Sequence, residues 1–175
     1  MSQRVILFDG PDGCGKTNIS AALSAKLGIP VFKNEFEWAH FGKVSAEEYF
    51  DIAITYQHPY ALSLIKQTGM SVIFDRAHPS EWAYARAFGR RLHDDAVAES
   101  DRASAELGAK LIIPVRSDYS KVYDEYGVKE DQLIQLDLLY REYANITQCD
   151  CLVLNVDDED LDREMTEIMN FLESK

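Results

Sequence analysis

Gly10 to Thr17 read GPDGCGKT and match the pattern G-x-x-x-x-G-K-[ST]. The apolar run 5–8 (VILF) stands directly before them and predicts a buried strand. Residues 17–26 (TNISAALSAK) follow and predict a helix with Ile19 and Leu23 on one apolar face. A loop between a strand and a helix can wrap a polyphosphate in backbone N–H groups and aim the positive end of the helix dipole at it. The stretch therefore predicts a phosphate-binding loop at the first strand of an α/β sheet.

Each side chain of this loop has a predicted role. Glycines let the main chain approach phosphate oxygens that a Cβ would block. Lys16 would contribute a positive charge to the β- and γ-phosphates, and the Thr17 hydroxyl would ligate Mg²⁺. The residues predicted to bind the nucleotide cofactor are Gly10, Asp12, Gly13, Cys14, Gly15, Lys16, Thr17 and Asn18, with Arg116 after the fourth predicted strand.

Composition and charge narrow the class of protein. The chain has 175 residues, 46% of them hydrophobic, which is enough for one packed domain. With 18 basic and 30 acidic side chains the net charge is −12, which disfavours affinity for nucleic acid through broad phosphate neutralisation. No apolar run approaches the ~20 residues of a membrane span, and no signal peptide is visible. We expect a cytoplasmic protein with reduced cysteines and no membrane partner.

The remaining apolar runs define the fold class. Short strands are predicted at 29–32, 71–74, 111–115 and 151–154, and helical patterns alternate with them. Wholly apolar strands that alternate with helices are typical of a parallel sheet covered on both faces. The prediction is an α/β fold, a three-layer P-loop NTPase sandwich in which a five-stranded parallel sheet carries helices on both faces. Residues 1–175 form one domain, with a lid segment near 116–128 that contains Arg116 and Lys121.

Asp75 and Arg76 come directly after the third predicted strand. Ligands of open parallel sheets bind beyond the carboxyl ends of the strands. At that position Asp75 would orient Mg²⁺ and its waters, and Arg76 would bridge the donor and acceptor phosphates. A strand-end salt bridge is the alternative for either residue taken alone, but the adjacent phosphate-binding loop favours the functional role.

A second group of cations follows on the next predicted helix, which Pro79 opens and which extends to about Phe88. Arg86 and Arg90 are four residues apart and are expected to share a face, where they could stabilise a phosphoryl group. The alternative is a solvated basic face of the helix.

Residues 75–84 (DRAHPSEWAY), with Gly89 and Arg90 a few residues later, closely resemble the D-R-x-x-x-S-x-x-A-Y signature of thymidylate kinases. Residues 8–17 are similar to the first strand and phosphate-binding loop of the same family. The resemblance implies ATP and Mg²⁺ as cofactors. It also implies that Asp12 contacts the acceptor sugar, Arg76 its phosphate and Tyr84 its 2′ face, which favours a deoxy substrate. Dimers are common in that family, so the resemblance allows a homodimer.

The chain departs from the thymidylate kinase pattern in two places. Residues 33–36 (KNEF) stand where that family carries Arg-Glu-Pro, and Ala85 replaces a glutamine that reads the base. Glu35 to Trp38 instead resembles the Glu…Trp segment of deoxynucleoside kinases, in which an acid deprotonates a hydroxyl. The chain also resembles small thymidylate-kinase-like proteins of bacteriophages, some of which phosphorylate 5-hydroxymethyluracil within DNA.

These patterns together predict an ATP-dependent, Mg²⁺-dependent kinase acting on a deoxynucleotide-type acceptor. Phosphorylation of a hydroxyl, either of a deoxynucleoside or of 5-hydroxymethyluracil in phage DNA, is the alternative, and DNA is a partner only as that substrate. A nucleotide-binding switch is less favoured, because the chain has no N-K-x-D-type guanine-reading sequence. The predicted catalytic residues are Lys16, Arg76, Asp75, Glu35, Arg86 and Arg90. The predicted metal ligands are Thr17 and Asp75. The predicted substrate-binding residues are Asp12, Glu35, Trp38, Arg76, Ser80 and Tyr84.

Overall fold

The computed structural model describes residues 3–33, 45–122 and 127–174. Five strands form one sheet in the order β2-β3-β1-β4-β5, and every neighbouring pair is parallel. The prediction of a five-stranded parallel sheet is therefore confirmed. The strands are β1 (Val5–Phe8), β2 (Val31–Lys33), β3 (Val72–Asp75), β4 (Lys110–Val115) and β5 (Asp150–Asn155).

Helices follow the strands and pack around the sheet. Contacts join α1 to α7 and join α4 to both α5 and α6. The helices are α1 (Lys16–Leu27), α2 (Ala46–Ile52), α3 (His58–Thr68), α4 (His78–Phe88), α5 (Asp94–Glu106), α6 (Glu130–Tyr143) and α7 (Leu161–Glu173).

The chain between α2 and α3 stays helical although it contains a proline, a residue that usually interrupts a helix. A π-helical segment, Ala53–Gln57, joins α2 to α3 without a break. Pro59 is the second residue of α3, and the π-helical segment directly before it changes the hydrogen-bond pattern where proline has no N–H to donate. Helix α2 begins with a capping box formed by Ser45 and Glu48.

The core centres on the three middle strands. Every residue of β1 and β3 is buried, and so are all residues of β4 except Lys110. Phe8 at the end of β1 is in register with Asp75 at the end of β3. The predicted phosphate-binding loop and the Asp75-Arg76 pair therefore begin side by side at one edge of the sheet.

The segment after β4 packs against that edge. Residues 116–122 contain no helix or strand. Their role as part of a lid stays a prediction, as does the assignment of 1–175 to one domain. Within the described ranges, no helix has the length and apolar character needed to cross a bilayer.

Candidate functional site

The loop between β1 and α1 bends at two glycines whose backbone lies in the left-handed region of φ/ψ space. Gly13 has φ +77° and Gly15 has φ +70°, and Gly15 caps α1, which begins at Lys16. The loop also lies close to neighbouring backbone: a Cβ added at Gly10 would lie 2.7 Å from the carbonyl oxygen of Pro114. One at Gly13 would collide with the side chain of Val122. These glycines therefore let the loop pack tightly against protein atoms, a requirement that the sequence pattern alone did not reveal.

Lys16 lies beneath the loop with its ammonium group buried. Its Nζ donates a hydrogen bond to the carbonyl oxygen of Pro11 at 2.6 Å and lies 3.8 Å from Oδ1 of Asp12. Burial, and then the positive charge of Arg76, lower the pKa of Lys16 to about 8. A phosphate placed at this loop would favour the charged ammonium group and compensate its burial.

Thr17 and Asp75 form the predicted metal pair. The Thr17 hydroxyl donates a hydrogen bond of 2.8 Å to Oδ2 of Asp75, although the two residues are 58 positions apart in the chain. The register of β1 with β3 places Asp75 beside Phe8, and the loop that follows Phe8 returns Thr17, in the first turn of α1, to the end of β3. A hydroxyl and a carboxylate oxygen at a phosphate-binding loop are a donor set that fits Mg²⁺.

Arg76, Asp12 and Tyr84 form a second polar cluster, half-buried beside Lys16. Nη2 of Arg76 forms an ion pair with Oδ1 of Asp12, and the Tyr84 hydroxyl donates to Oδ2 of Asp12 at 2.5 Å. Burial alone would raise the pKa of Asp12, but the charges of Arg76 and Lys16 lower it overall. Asp12 thus contacts both cations predicted to bind phosphate groups.

Arg76 has an unusual backbone conformation. Its φ is +73°, in the left-handed region that costs a non-glycine residue about 1–3 kcal/mol. Its N–H donates to the carbonyl oxygen of Phe8 at 2.8 Å, so the bend is held by the end of β1. The guanidinium carbon lies 5.3 Å from the centroid of the Tyr84 ring. Strain of this kind is often found at functional sites, which agrees with the role predicted for Arg76.

Ser80 lies near this cluster and binds Asp9, a residue to which the sequence interpretation gave no role. Its hydroxyl donates to Oδ1 of Asp9 at 2.6 Å, and its N–H donates to Oδ2 at 3.0 Å. Asp9 is fully buried and also accepts hydrogen bonds from the N–H groups of Gly10 and Ala77 and from the Tyr140 hydroxyl. This carboxylate joins the start of the phosphate-binding loop to the start of α4. An acid directly after four apolar strand residues was the available sequence signal.

Arg86 and Arg90 do not share a helical face, so that expectation was wrong. Helix α4 ends at Phe88, and Gly89 adopts a left-handed conformation that turns the chain away. Arg86 lies over the ring of Trp82 at 4.1 Å and donates to Asp94 at 2.8 Å. Arg90 lies beyond the helix, 4.1 Å from the centroid of the Phe50 ring on α2 and 5.8 Å from that of Tyr84.

Arg116 lies against the phosphate-binding loop. Its Nε donates to the carbonyl oxygen of Gly13 at 3.0 Å, and its Nη2 lies 2.9 Å from Oε1 of Glu159. Cys14 faces inward, with its sulfur 3.4 Å from the Tyr119 hydroxyl. The segment after β4 is therefore attached to the loop at two points.

Three of the predicted site residues lie outside the contacts given above. Asn18 is exposed on the first turn of α1. Glu35 and Trp38 lie outside the described residues.

The fold, a five-stranded parallel sheet in the order β2-β3-β1-β4-β5 with helices around it, is shared with nucleotide and nucleoside kinases of known structure. A thymidylate kinase from Ehrlichia chaffeensis is similar with a TM-score of 0.65 and 16% identity, covering 99% of this chain and 100% of that one. Deoxyadenosine kinase from M. mycoides, in a structure with dCMP and dCDP, is similar with a TM-score of 0.56 and 22% identity over 98% of this chain and 100% of that one. The YorR protein from Bacillus subtilis, in complex with phosphorylated GDP, is similar with a TM-score of 0.65 and 20% identity over 97% and 95% of the two chains.

No protein-family model matches the chain, and no curated protein matches it in sequence. The likeness to thymidylate kinases is therefore one of fold, and it agrees with the resemblance in the motifs.

Proposed function

We propose that this protein is a Mg²⁺-dependent kinase that transfers the γ-phosphoryl group of ATP to a deoxynucleoside monophosphate. The observation that carries the proposal is the position of Asp12. Its carboxylate lies between Lys16, predicted to bind the donor phosphates, and Arg76, predicted to bind the acceptor phosphate. Because one carboxylate contacts both cations, phosphate groups that bound to them would lie close to each other.

The proposed reaction needs little covalent chemistry from the protein. An oxygen of the acceptor phosphate attacks the γ-phosphorus of ATP, the bond from that phosphorus to the β–γ bridging oxygen breaks, and ADP leaves with the electron pair. Lys16 would stabilise the charge on the β- and γ-oxygens, and Arg76 would hold the acceptor phosphate in line. Thr17 and Asp75 would hold Mg²⁺, which supplies charge neutralisation at the transferring group. A phosphate acceptor is already ionised, so no general base is required.

The acceptor contacts of the proposal are those of the Asp12 cluster. Tyr84 would lie against the sugar, and Asp12 would accept a hydrogen bond from a sugar hydroxyl once a ligand separates it from Arg76. Ser80 would act through Asp9, because its hydroxyl and its N–H both bind that carboxylate. Arg116 would contact the donor nucleotide from the segment after β4, since its guanidinium already lies at Gly13.

A transfer assay with γ-labelled ATP and Mg²⁺ tests this function. The acceptors are the deoxynucleoside monophosphates, the corresponding nucleosides and DNA that contains 5-hydroxymethyluracil. We expect label in nucleoside diphosphates, and about 10²–10³-fold less of it with Lys16→Ala. The matched control is Lys66→Ala, because Lys66 is an exposed lysine on α3 paired only loosely with Glu106, at 3.8 Å. If the label appears in monophosphates formed from the nucleosides, or in DNA, and none appears in diphosphates, the hydroxyl-kinase alternative replaces this proposal.

A further inference from the structure

A buried acid, Glu81, and a partly buried arginine, Arg90, lie next to Tyr84 and take no part in the proposed reaction. Glu81 is 5% exposed, and its Oε2 atom has no hydrogen-bond partner among the described residues. Nε of Arg90 is likewise buried without a partner in the described part of the chain. A buried polar atom without a hydrogen bond is costly, and it is uncommon in native proteins. Two such atoms of opposite charge in one region indicate a ligand that would satisfy both.

The charged groups around Glu81 are already engaged elsewhere. Asp51 on α2 accepts a hydrogen bond of 2.5 Å from the His93 ring and lies 3.9 Å from Arg91. Glu47 on α2 accepts a hydrogen bond from the backbone N–H of Arg91. Burial raises the pKa of Glu81 to about 7, against the opposing effect of the Arg90 charge. Within the part of the chain that the structure describes, the charge of the Glu81 carboxylate is thus poorly compensated.

The position of the pair fits the acceptor side of the site. Glu81 stands one helical turn before Tyr84 on α4. The guanidinium carbons of Arg76 and Arg90 both approach the Tyr84 ring, at 5.3 and 5.8 Å from its centroid. A nucleotide with its phosphate at Arg76 and its sugar against Tyr84 would therefore extend its base toward Arg90 and the Phe50 ring.

We propose that Glu81 and Arg90 read the base of the acceptor, with the carboxylate accepting from a base N–H and the guanidinium donating to a carbonyl oxygen. The matching chemical class is a keto base, namely thymine, uracil, guanine or cytosine. Adenine has no carbonyl oxygen, and its amino group and ring nitrogen pair best with a side-chain amide. This inference rests on the proposed function for the placement of the acceptor, and it gives Arg90 a role in base recognition instead of phosphoryl stabilisation.

Direct binding measurements test the proposal without requiring catalysis. The ligands are dTMP, dUMP, dGMP, dCMP, dAMP and deoxyribose 5-phosphate, which has no base, and the dissociation constants are measured by calorimetry. We expect at least one keto-base nucleotide to bind about tenfold or more tightly than dAMP. The reason is that a hydrogen bond to a charged group in a buried site contributes enough binding free energy for a difference of this size.

Two variants separate base recognition from general damage. Glu81→Gln keeps the shape but removes a charged acceptor, and Arg90→Lys keeps the charge but removes Nε. Each should reduce the preference over dAMP to threefold or less, and binding of deoxyribose 5-phosphate should not change. Glu164→Gln on α7, another buried acid with a pKa raised by burial, is the matched control for the first variant, and Arg102→Lys on α5 is the control for the second.

The possible outcomes are distinct. An unchanged base preference in both variants would overturn the inference, and so would equal weakening of all ligands including deoxyribose 5-phosphate. If base preference falls in the variants but the wild type transfers no phosphoryl group, the base site stands and the proposed kinase function fails. If the wild type transfers phosphoryl groups and accepts dAMP as well as the keto bases, the kinase function stands and the base site fails.

Discussion

Glu81→Gln should stabilise the ligand-free protein at alkaline pH. The pKa of the buried Glu81 carboxyl group is raised from 4.5 to about 7, with burial as the main cause and Asp51 and Glu47 as lesser ones. Arg90 and His93 oppose this rise but do not overcome it. At about 1.4 kcal/mol for each pH unit, ionising the group in the folded state costs about 3 kcal/mol. Glutamine carries no such cost, because it stays neutral and keeps nearly the same shape.

The sign of the pH dependence follows from which state binds more protons. Between pH 4.5 and 7 the folded protein holds a proton on Glu81 that the unfolded chain has released. Wild-type stability therefore falls relative to the variant as the pH rises through this window. The difference should be small near pH 5 and should reach about 2–4 kcal/mol at pH 8, which corresponds to a Tm about 4–16 °C higher for a domain of this size.

Urea unfolding at pH 5, 6, 7 and 8 measures this difference through the free energy of unfolding. Glu106→Gln on α5 is the control, because Glu106 is an exposed glutamate and its removal should leave no pH-dependent difference of this size. A Glu81→Gln variant that is less stable than the wild type at pH 8, or a difference that does not change with pH, would refute the reasoning. Either result would mean that the carboxylate is well paired in the folded protein.

Further predictions concern the loop, the acceptor side and the buried network. Lys16→Ala should reduce transfer about 10²–10³-fold with the fold intact, as measured by turnover and circular dichroism. Arg76→Ala should lower kcat more than it weakens ATP binding, and a loss confined to ATP affinity would contradict its acceptor role. Glu35→Gln should lower turnover tenfold or less, whereas a loss beyond a hundredfold with a flattened acidic limb of the pH profile would indicate a hydroxyl acceptor. Asp9→Asn should destabilise the protein by about 2–4 kcal/mol in urea unfolding, because some of its buried hydrogen-bond donors would lose their acceptor. Asp118→Asn, which removes an exposed acid after β4, should have little effect.

Local sequence patterns predicted most of the fold. Short apolar runs and turn residues depend on neighbours within a few positions, so they correctly placed the strands and the glycine-rich loop between β1 and α1. Two local features depend on backbone conformations that hydrophobic periodicity does not encode. The chain before Pro59 continues through a π-helical segment, and Gly89 ends α4 before Arg90.

By itself, the sequence determined the residue types of the site: a lysine and a threonine after a glycine-rich loop, and an acid and an arginine after a buried strand. Only the tertiary structure decided which of them touch. The parallel register of β1 and β3 brings Thr17 to Asp75, and the left-handed bend at Arg76 turns its guanidinium to Asp12. The sequence did not reveal the five hydrogen bonds that described residues donate to Asp9, nor the atoms of Glu81 and Arg90 that have no partner among those residues. The physical reason is that hydrogen-bond satisfaction and burial depend on groups from distant parts of the chain, which meet only when the sheet and its helices pack together.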